Sequence, residues 1–303
     1  MRQILYQVVL LIILVYVYKI LCTSVHVSAF AFLLAPNRRN WRKHGEGSDL
    51  SIAANELVAI QKMYVDLGWV KLHSVISGQK LAQLQKAADS FELEACKIRL
   101  LNCERINGSF FEVQTATGRK GEQAASPGLL RKVTGASKSS REFKNLRDDS
   151  ELAGVFASVA DLGRLICVND QVNYKAAYIG TPFPYHQDAG FVFGTARKLL
   201  ARNNGVNAVI ALDPSHDSNG GFEVLGGTHR GGYVDLKGRY DTSTTHNGIS
   251  ACAFDSSLRC IPPLLPGDAI VFDPMLAHGS GPNLSPLRRR LATLWYVAAG
   301  SNT

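Results

Sequence analysis

The chain has 303 residues, 46% of them hydrophobic and 19% charged, with a formal net charge of +8. That length can bury one substantial core or two small ones, and the composition is that of a folded globular protein. Six cysteines (Cys22, Cys96, Cys103, Cys167, Cys252 and Cys260) without a C-x-x-C pair are too few for a disulfide-built scaffold and are expected to be buried free thiols; no nucleic-acid motif accompanies the basic balance.

Residues 1–29 read as a signal peptide or membrane anchor. Arg2 precedes eleven consecutive apolar residues, Val8 to Tyr18, bounded by Gln7 and Lys19. The run is short for a membrane span, which needs about 20 residues, and suits the apolar stretch of a secretory signal, about 7–15 long. Val27-Ser28-Ala29 offers small residues for cleavage. A retained anchor is the competing reading, with Ile20-Leu21 and Phe30–Leu34 extending the apolar segment past Lys19. Both readings lead to the secretory route or to membrane association at the endoplasmic reticulum. HVSAFAFLLAP also resembles the junction of bipartite plastid-targeting segments. Residues 30–50, with Arg38, Arg39, Arg42 and Lys43, read as a basic linker or transit segment.

From residue 51 to 303 the pattern is that of one domain. Ser51 to Met63 has helical spacing, with Ala53, Leu57, Ile60 and Met63 on one side. A short strand follows in YVDLGWVKLHSVIS, and Ser77 is placed to cap a second helix. That helix is expected to run through Cys96 toward Cys103, two turns apart. Residues 104–140 are rich in Gly, Ser and Lys and are expected to form a long loop. Glu142 to Leu165 is expected to be helical. From Ile166 onward short apolar runs (GVNAVIALD, GGFEVLGG, GDAIVFD, RLATLWYVAAG) alternate with Gly, Pro, Asn and Asp clusters, which predicts antiparallel strands in a sandwich or jelly roll. The fold class is mainly β with flanking helices and an N-terminal helical region.

One constellation carries chemistry. On a strand, His186 and Asp188 point to the same side and can reach one metal. His278, in MLAHGSGPN after the strand-like AIVF, is the best third ligand. Two histidines and one carboxylate occupy one face of an octahedral ferrous ion and leave three positions open. Arg289, eleven residues beyond His278, can clamp a carboxylate such as the distal one of 2-oxoglutarate; Arg288 is the neighbouring candidate. His216 and Asp217 read as turn formers, Asn219-Gly220-Gly221 as a tight turn, and Asn283 and Ser285 as shapers of the loop between His278 and Arg289. Asn107-Gly108-Ser109 and Asn283-Leu284-Ser285 match the N-glycosylation pattern.

Four motifs in order resemble the phytanoyl-CoA dioxygenase family: YVDLGWVKLHSVISGQKLAQL, YHQDAGF, ALDPSHDSNGGFEVLGGTHRGG and PGDAIVFDPMLAHGSGPNLSPLRRR, the resemblance running from about residue 56 to 299. It implies a double-stranded β-helix, a cupin-like jelly roll, using Fe(II), 2-oxoglutarate and O₂, with ascorbate as a possible helper. His186, Asp188 and His278 match the family's iron ligands and Arg289 its 2-oxoglutarate arginine. Lys175 stands where many members have a basic or polar residue near the co-substrate, and His229 at a structural position. Gly226 replaces the family's usual proline, and Asn207 or Val209 stands near a missing aromatic. The implied activity is hydroxylation of a C–H bond in a small organic or acyl substrate, with release of succinate and CO₂. The basic positions Arg131, Lys132, Lys138, Arg141, Lys144 and Arg147 read as a solvated surface or as contacts to an anionic substrate. Two alternatives remain: a non-catalytic jelly-roll binding protein, and a cupin-like metalloenzyme without 2-oxoglutarate, which would not need Arg289.

Overall fold

The structure, a computed structural model, describes residues 54–98, 103–115, 125–191, 204–233 and 255–300. The expected signal or anchor over 1–29 and the basic segment over 30–50 lie outside the described residues, as do Cys22 and Cys252. No helix among the described residues is long and apolar enough to cross a membrane.

Helix α1 (Ala54–Leu67) leads into β1 (Trp69–Leu72), and α2 (Gly78–Ala95) follows. Ser77 occupies the N-cap of α2 with extended backbone, but its hydroxyl makes no capping bond. The helix stops at Ala95, so Cys96 and Cys103 do not share it, and both are exposed free thiols; of the described cysteines only Cys260 is buried.

The expected loop over 104–140 is largely sheet: β2 (Cys103–Ile106), β3 (Ser109–Thr115) and β4 (Ala125–Thr134). The turn between β2 and β3 is Asn107-Gly108, at φ +49° and +87°. Positive φ at both central residues is what a tight hairpin of right-twisted strands demands, and Asn-Gly supplies it. β2 forms the sheet edge and lies mostly exposed, so it carries no apolar period to read.

Two helices replace the single expected one: α3 (Arg141–Arg147) and α4 (Ser150–Val159). Asp149 breaks the run because its carboxylate accepts from Leu152 N at 3.0 Å and starts α4 afresh. Then come β5 (Leu165–Lys175), β6 (Phe183–His186), β7 (Gly205–Ala211), β8 (Glu223–Leu225), β9 (Arg259–Cys260), β10 (Ala269–Phe272), β11 (His278–Ser280) and β12 (Arg289–Ala298).

Eight strands form one sheet in the order β1-β10-β7-β12-β5-β4-β3-β2; β6-β11-β8-β9 form a second. The described pairings are antiparallel. This is the expected jelly roll. Alternation splits the large sheet into two faces. Val206, Ala208 and Ile210 of β7 and Ala292, Leu294 and Tyr296 of β12 join Leu84, Phe91, Phe143 and Phe156 in the core beneath the helices. Val209, Ala211 and Leu291 face the small sheet and pack with Phe222, Val224, Phe272 and Leu276. Each fully buried Leu or Phe contributes about 1.5–3 kcal/mol.

A buried arginine ties the sheet to α2. Arg290 is 2% exposed and grips Asp213 with two bonds (Nε–Oδ2 2.8 Å, Nη2–Oδ1 2.9 Å), while Nη1 reaches Asp89 at 2.7 Å. Removing one partner of a buried pair leaves an uncompensated charge. Asp213→Ala is expected to lower unfolding stability by about 3 kcal/mol in urea titration; an unchanged midpoint would show that Asp213 is dispensable.

Candidate active site

The two sheets enclose a cavity of about 650 Å³. Its lining includes His186, Asp188 and His278 from the small-sheet side and Arg289, Leu291, Thr293 and Trp295 from β12.

His186 closes β6 and His278 opens β11, and the two are direct partners across the ladder. The strands meet closely there because position 279 is glycine. A Cβ on Gly279 would lie 2.8 Å from the Phe183 carbonyl and 3.2 Å from Tyr185 N. Beyond this rung β6 holds one extra residue, since Ser280 pairs with Phe183, and Pro184 sits in that bulge, where no ladder N–H is needed.

The expectation that one strand carries both His186 and Asp188 is corrected. The strand ends at His186, and Asp188 begins a 3-10 turn, Asp188–Phe191. The turn is fastened by Gln187, whose amide donates to Gly232 O (2.9 Å) and Met275 O (2.6 Å), and by Ala189 N on Pro274 O (3.1 Å). It still delivers the carboxylate. Asp188 Oδ1 lies 3.5 Å from His186 Nε2 and 3.4 Å from His278 Nε2, and one donor atom of each residue lies within 4.8 Å of the others. Among the described residues this is the group of His, Cys, Asp and Glu side chains able to hold a metal.

The ring tautomers follow from local backbone. His186 Nδ1 is 2.7 Å from Pro184 O, and His278 Nδ1 is 2.9 Å from Leu276 O. A carbonyl only accepts, so each Nδ1 carries a proton, which leaves Nε2, facing Asp188, as the nitrogen able to ligate a metal. Burial pushes the His186 pKa down, as does His278 close by; bonds to Asp188 and the Pro184 carbonyl oppose this. Burial tends to raise the Asp188 pKa, but the adjoining His278 and His186 outweigh it and hold it well below the carboxylate range. Neutral imidazoles beside an ionised carboxylate are a metal-ligating donor set. Phe191 packs on His186 with centroids 5.2 Å apart, and Phe222 and Phe272 flank His278 at 5.2 and 4.8 Å.

Sequence reasoning passed over Asn207 as a site residue. It is fully buried in β7, and its amide donates to Asp188 Oδ2 at 2.6 Å. Its signal was a single polar side chain in the apolar run GVNAVIA, since a buried amide needs a partner.

The three consecutive arginines part company. Arg288 points outward onto Glu92 and Asp89 (2.7 Å each), and Arg290 turns to Asp213. Arg289, 1% exposed, faces the cavity. Its bonds reach neutral oxygens: Gly220 O (Nε 3.1 Å, Nη2 2.5 Å) and Ser280 Oγ (3.5 Å). Among the described residues no carboxylate pairs with it. Burial pulls its pKa down to about 9, against the pull of Asp213, so it is charged at neutral pH. A buried cation without a counter-ion at a cavity wall is a seat for an anion.

Lys175 is directly opposite Arg289 in the β5–β12 ladder. Its ammonium turns onto the carbonyls of Thr181, Ser280 and Gly281, and it is not among the residues lining the cavity. Burial lowers its pKa, followed by repulsion from Arg289 and Arg131, with Glu223 opposing.

The basic run does not behave as one surface. Arg131 is 1% exposed in β4, at a bulge where two steps of β4 oppose one step of β3. Its guanidinium stacks 3.7 Å over the Phe183 ring, pairs with Glu112 (3.0 Å) and donates to Thr181 Oγ1 (3.2 Å) and Pro182 O (3.1 Å). It therefore braces the segment entering β6. Lys132 lines the cavity but stands 3.4 Å from Glu112; Lys138, Arg141 and Lys144 lie off the cavity. Asn283 does shape its loop, donating to Lys175 O and Leu287 O and accepting from Ser285. His229 lies away from the triad, its Nε2 3.0 Å from Val65 O.

The phytanoyl-CoA dioxygenase (PhyH) family model matches residues 64–291. A protein of Stutzerimonas stutzeri, described as a probable alpha-ketoglutarate-dependent hypophosphite dioxygenase, is 26% identical over 79% of this chain and 78% of its own length. An L-proline trans-4-hydroxylase of Streptomyces griseoviridis is 28% identical over 42% of this chain, which spans about half of that enzyme (52%). The crystal structure of EctD from S. alaskensis with 2-oxoglutarate and 5-hydroxyectoine shares the fold at TM-score 0.60 and 20% identity, over 87% of this chain and 82% of that one. The chain thus belongs to the phytanoyl-CoA dioxygenase family and is an Fe(II)- and 2-oxoglutarate-dependent dioxygenase.

Proposed function

We propose that His186, Asp188 and His278 hold the ferrous ion, that Arg289 holds the distal carboxylate of 2-oxoglutarate, and that the enzyme hydroxylates a C–H bond of a small molecule. The observation that carries this is the buried triad with both Nδ1–H groups tied to backbone carbonyls, sharing a cavity with an unpaired buried arginine. The relatives whose names specify hypophosphite and L-proline support a small substrate.

Each residue has a physical task. The backbone carbonyls of Pro184 and Leu276 hold each ring by its Nδ1–H, which leaves Nε2 as the ligating nitrogen and fixes its direction. Asn207 holds one oxygen of Asp188 and leaves the other for the metal. Arg289 offers a fixed fork of N–H donors to a carboxylate, and Gly220 O and Ser280 set the plane of that fork. Lys175 acts through Arg289 as a positioning residue: its ammonium draws in the Thr181, Ser280 and Gly281 carbonyls on which the pocket's edge depends. Phe222 and Phe272, both buried, keep water from the His278 side of the triad. The bound metal, with 2-oxoglutarate and O₂ as co-substrates, supplies oxidative decarboxylation to succinate and CO₂ coupled to oxygen insertion into the substrate.

Residues 51–303 form the dioxygenase domain in this reading. Residues 1–29 direct the chain to the secretory route or tether it to a membrane, supported by the apolar run Val8–Tyr18 behind Arg2. Plastid delivery through residues 30–50 is the variant of that route which the basic, acid-free stretch from Phe30 to His44 favours.

His186→Ala should lose iron in metal analysis of the purified protein, and succinate formation should fall at least about 100-fold, as expected when a metal ligand or its support is removed; full iron content would refute the ligand assignment. Arg289→Ala should raise the KM for 2-oxoglutarate by about 10–100-fold, the equivalent of one charged hydrogen-bond pair. Arg288→Ala should leave that KM unmoved; the reverse pattern would exchange the two arginines. Tagged full-length protein in its native cell should appear in endomembranes or plastids by fluorescence imaging, and a cytosolic signal would defeat the targeting proposal.

A further inference from the structure

The cavity wall facing the triad carries an ordered set of uncharged hydrogen-bonding groups. Asn169, Gln171 and Asn173 recur at alternate positions of β5 and all line the cavity, whereas Val172 and Tyr174, in the opposite phase of the strand, point into the helix-side core. Across the ladder they face β12: Asn169 opposite Trp295, Gln171 opposite Thr293, Asn173 opposite Leu291. Trp295 in turn lies opposite Asn207 of β7, whose amide holds Asp188. One row therefore runs Asn169, Trp295, Asn207, Asp188 over three neighbouring strands, from the cavity wall to the triad.

Much of this row is unsatisfied. Asn173 donates to Thr293 Oγ1 at 3.0 Å, but the side-chain amides of Asn169 and Gln171 make no hydrogen bond among the described residues. Trp295 Nε1 and Asn207 Oδ1 are buried and likewise lack a partner there, and Trp295 is 7% exposed. Buried polar groups are ordinarily paired. Charge is scarce at this wall: Arg131 and Lys132 share the one carboxylate of Glu112, and Arg289 is assigned to the co-substrate.

We infer that the substrate carries several uncharged hydrogen-bonding groups, hydroxyl or amide, along the side that lies on β5, and that Asn169, Gln171 and Trp295 determine specificity by reading them. The inference rests on the triad and Arg289 assignment above, and it names the substrate class of that site. An acyl chain laid on the same wall would strip water from two free amides and one indole N–H and return no bond to them. An anionic head would find there only Lys132, which already stands 3.4 Å from Glu112. A polyol, glycoside or amide returns a donor or acceptor to each.

The test uses the full chain loaded with Fe(II) and 2-oxoglutarate without oxygen. Binding is followed by titration calorimetry against two panels, neutral polyols, glycosides and small amides, and acyl thioesters of similar size; admission of air then gives succinate release. Binding and stimulated succinate release are expected from members of the polar panel. Gln171→Leu and Asn169→Leu should each weaken that binding at least tenfold while 2-oxoglutarate binding moves less than twofold, and Gln171→Asn should recover part of the loss. Tight binding of acyl thioesters that the leucine variants leave unchanged or improve would overturn the inference, as would no binding by any polar compound to protein that binds 2-oxoglutarate. Protein that fails to bind 2-oxoglutarate at all would instead overturn the underlying site assignment, and this inference with it.

Discussion

A single rung of antiparallel sheet, His186 against His278, sets the geometry on which the active site depends. It brings the two imidazoles together, their centroids 4.3 Å apart. The fold gives each Nδ1–H a carbonyl from two residues back on its own chain, so tautomer and ring direction are written into the local backbone. The Gly279 gap brings the strands close enough, and the turn after His186 swings Asp188 in beneath both rings. The proposed iron site thus starts from a strand pairing, its candidate donors arranged by the same bonds that hold the small sheet together.

The second constraint is alternation along β12. Arg289, Leu291, Thr293 and Trp295 look into the cavity, while Arg290, Ala292, Leu294 and Tyr296 look toward the helices. A one-residue slip would exchange every member of the two sets. Arg290 guards against it, because only in this register does its guanidinium meet Asp213 and Asp89. A stability device on one face therefore holds the functional face in register, and Arg288 adds an outer tie to Asp89 and Glu92 on α2.

The jelly roll and the triad were legible because each rests on a local pattern: short apolar runs between turn residues, and metal donors beside strand ends. What stayed hidden depends on tertiary partners. The β2–β3 hairpin lacks an apolar period since its edge strand is exposed, and its Asn-Gly turn doubles as a glycosylation pattern that drew the eye first. Asp149 broke a helix that periodicity alone continued. The inward arginine of the trio could be named only by motif, because alternation leaves the phase of a strand open until its partner is known. Asn207 was readable in hindsight as one amide in an apolar strand, but which carboxylate it served required the turn at Asp188.

Arg131 shows how far a charge can mislead when counted by position. As part of a basic run it reads as solvated surface or as a lure for an anion, yet a β-bulge turns it inward, where Glu112 neutralises it and Phe183 stacks on it. Burial lowers its pKa and Glu112 opposes that, so it remains a cation serving the approach to His186. With Arg131, Lys175 and Arg290 each engaged by fixed oxygens, Arg289 is the cavity-lining arginine whose hydrogen bonds reach no carboxylate among the described residues. In the proposed site, affinity for a dicarboxylate comes from one guanidinium left uncompensated while its neighbours are neutralised or tied down, rather than from the net charge of the chain.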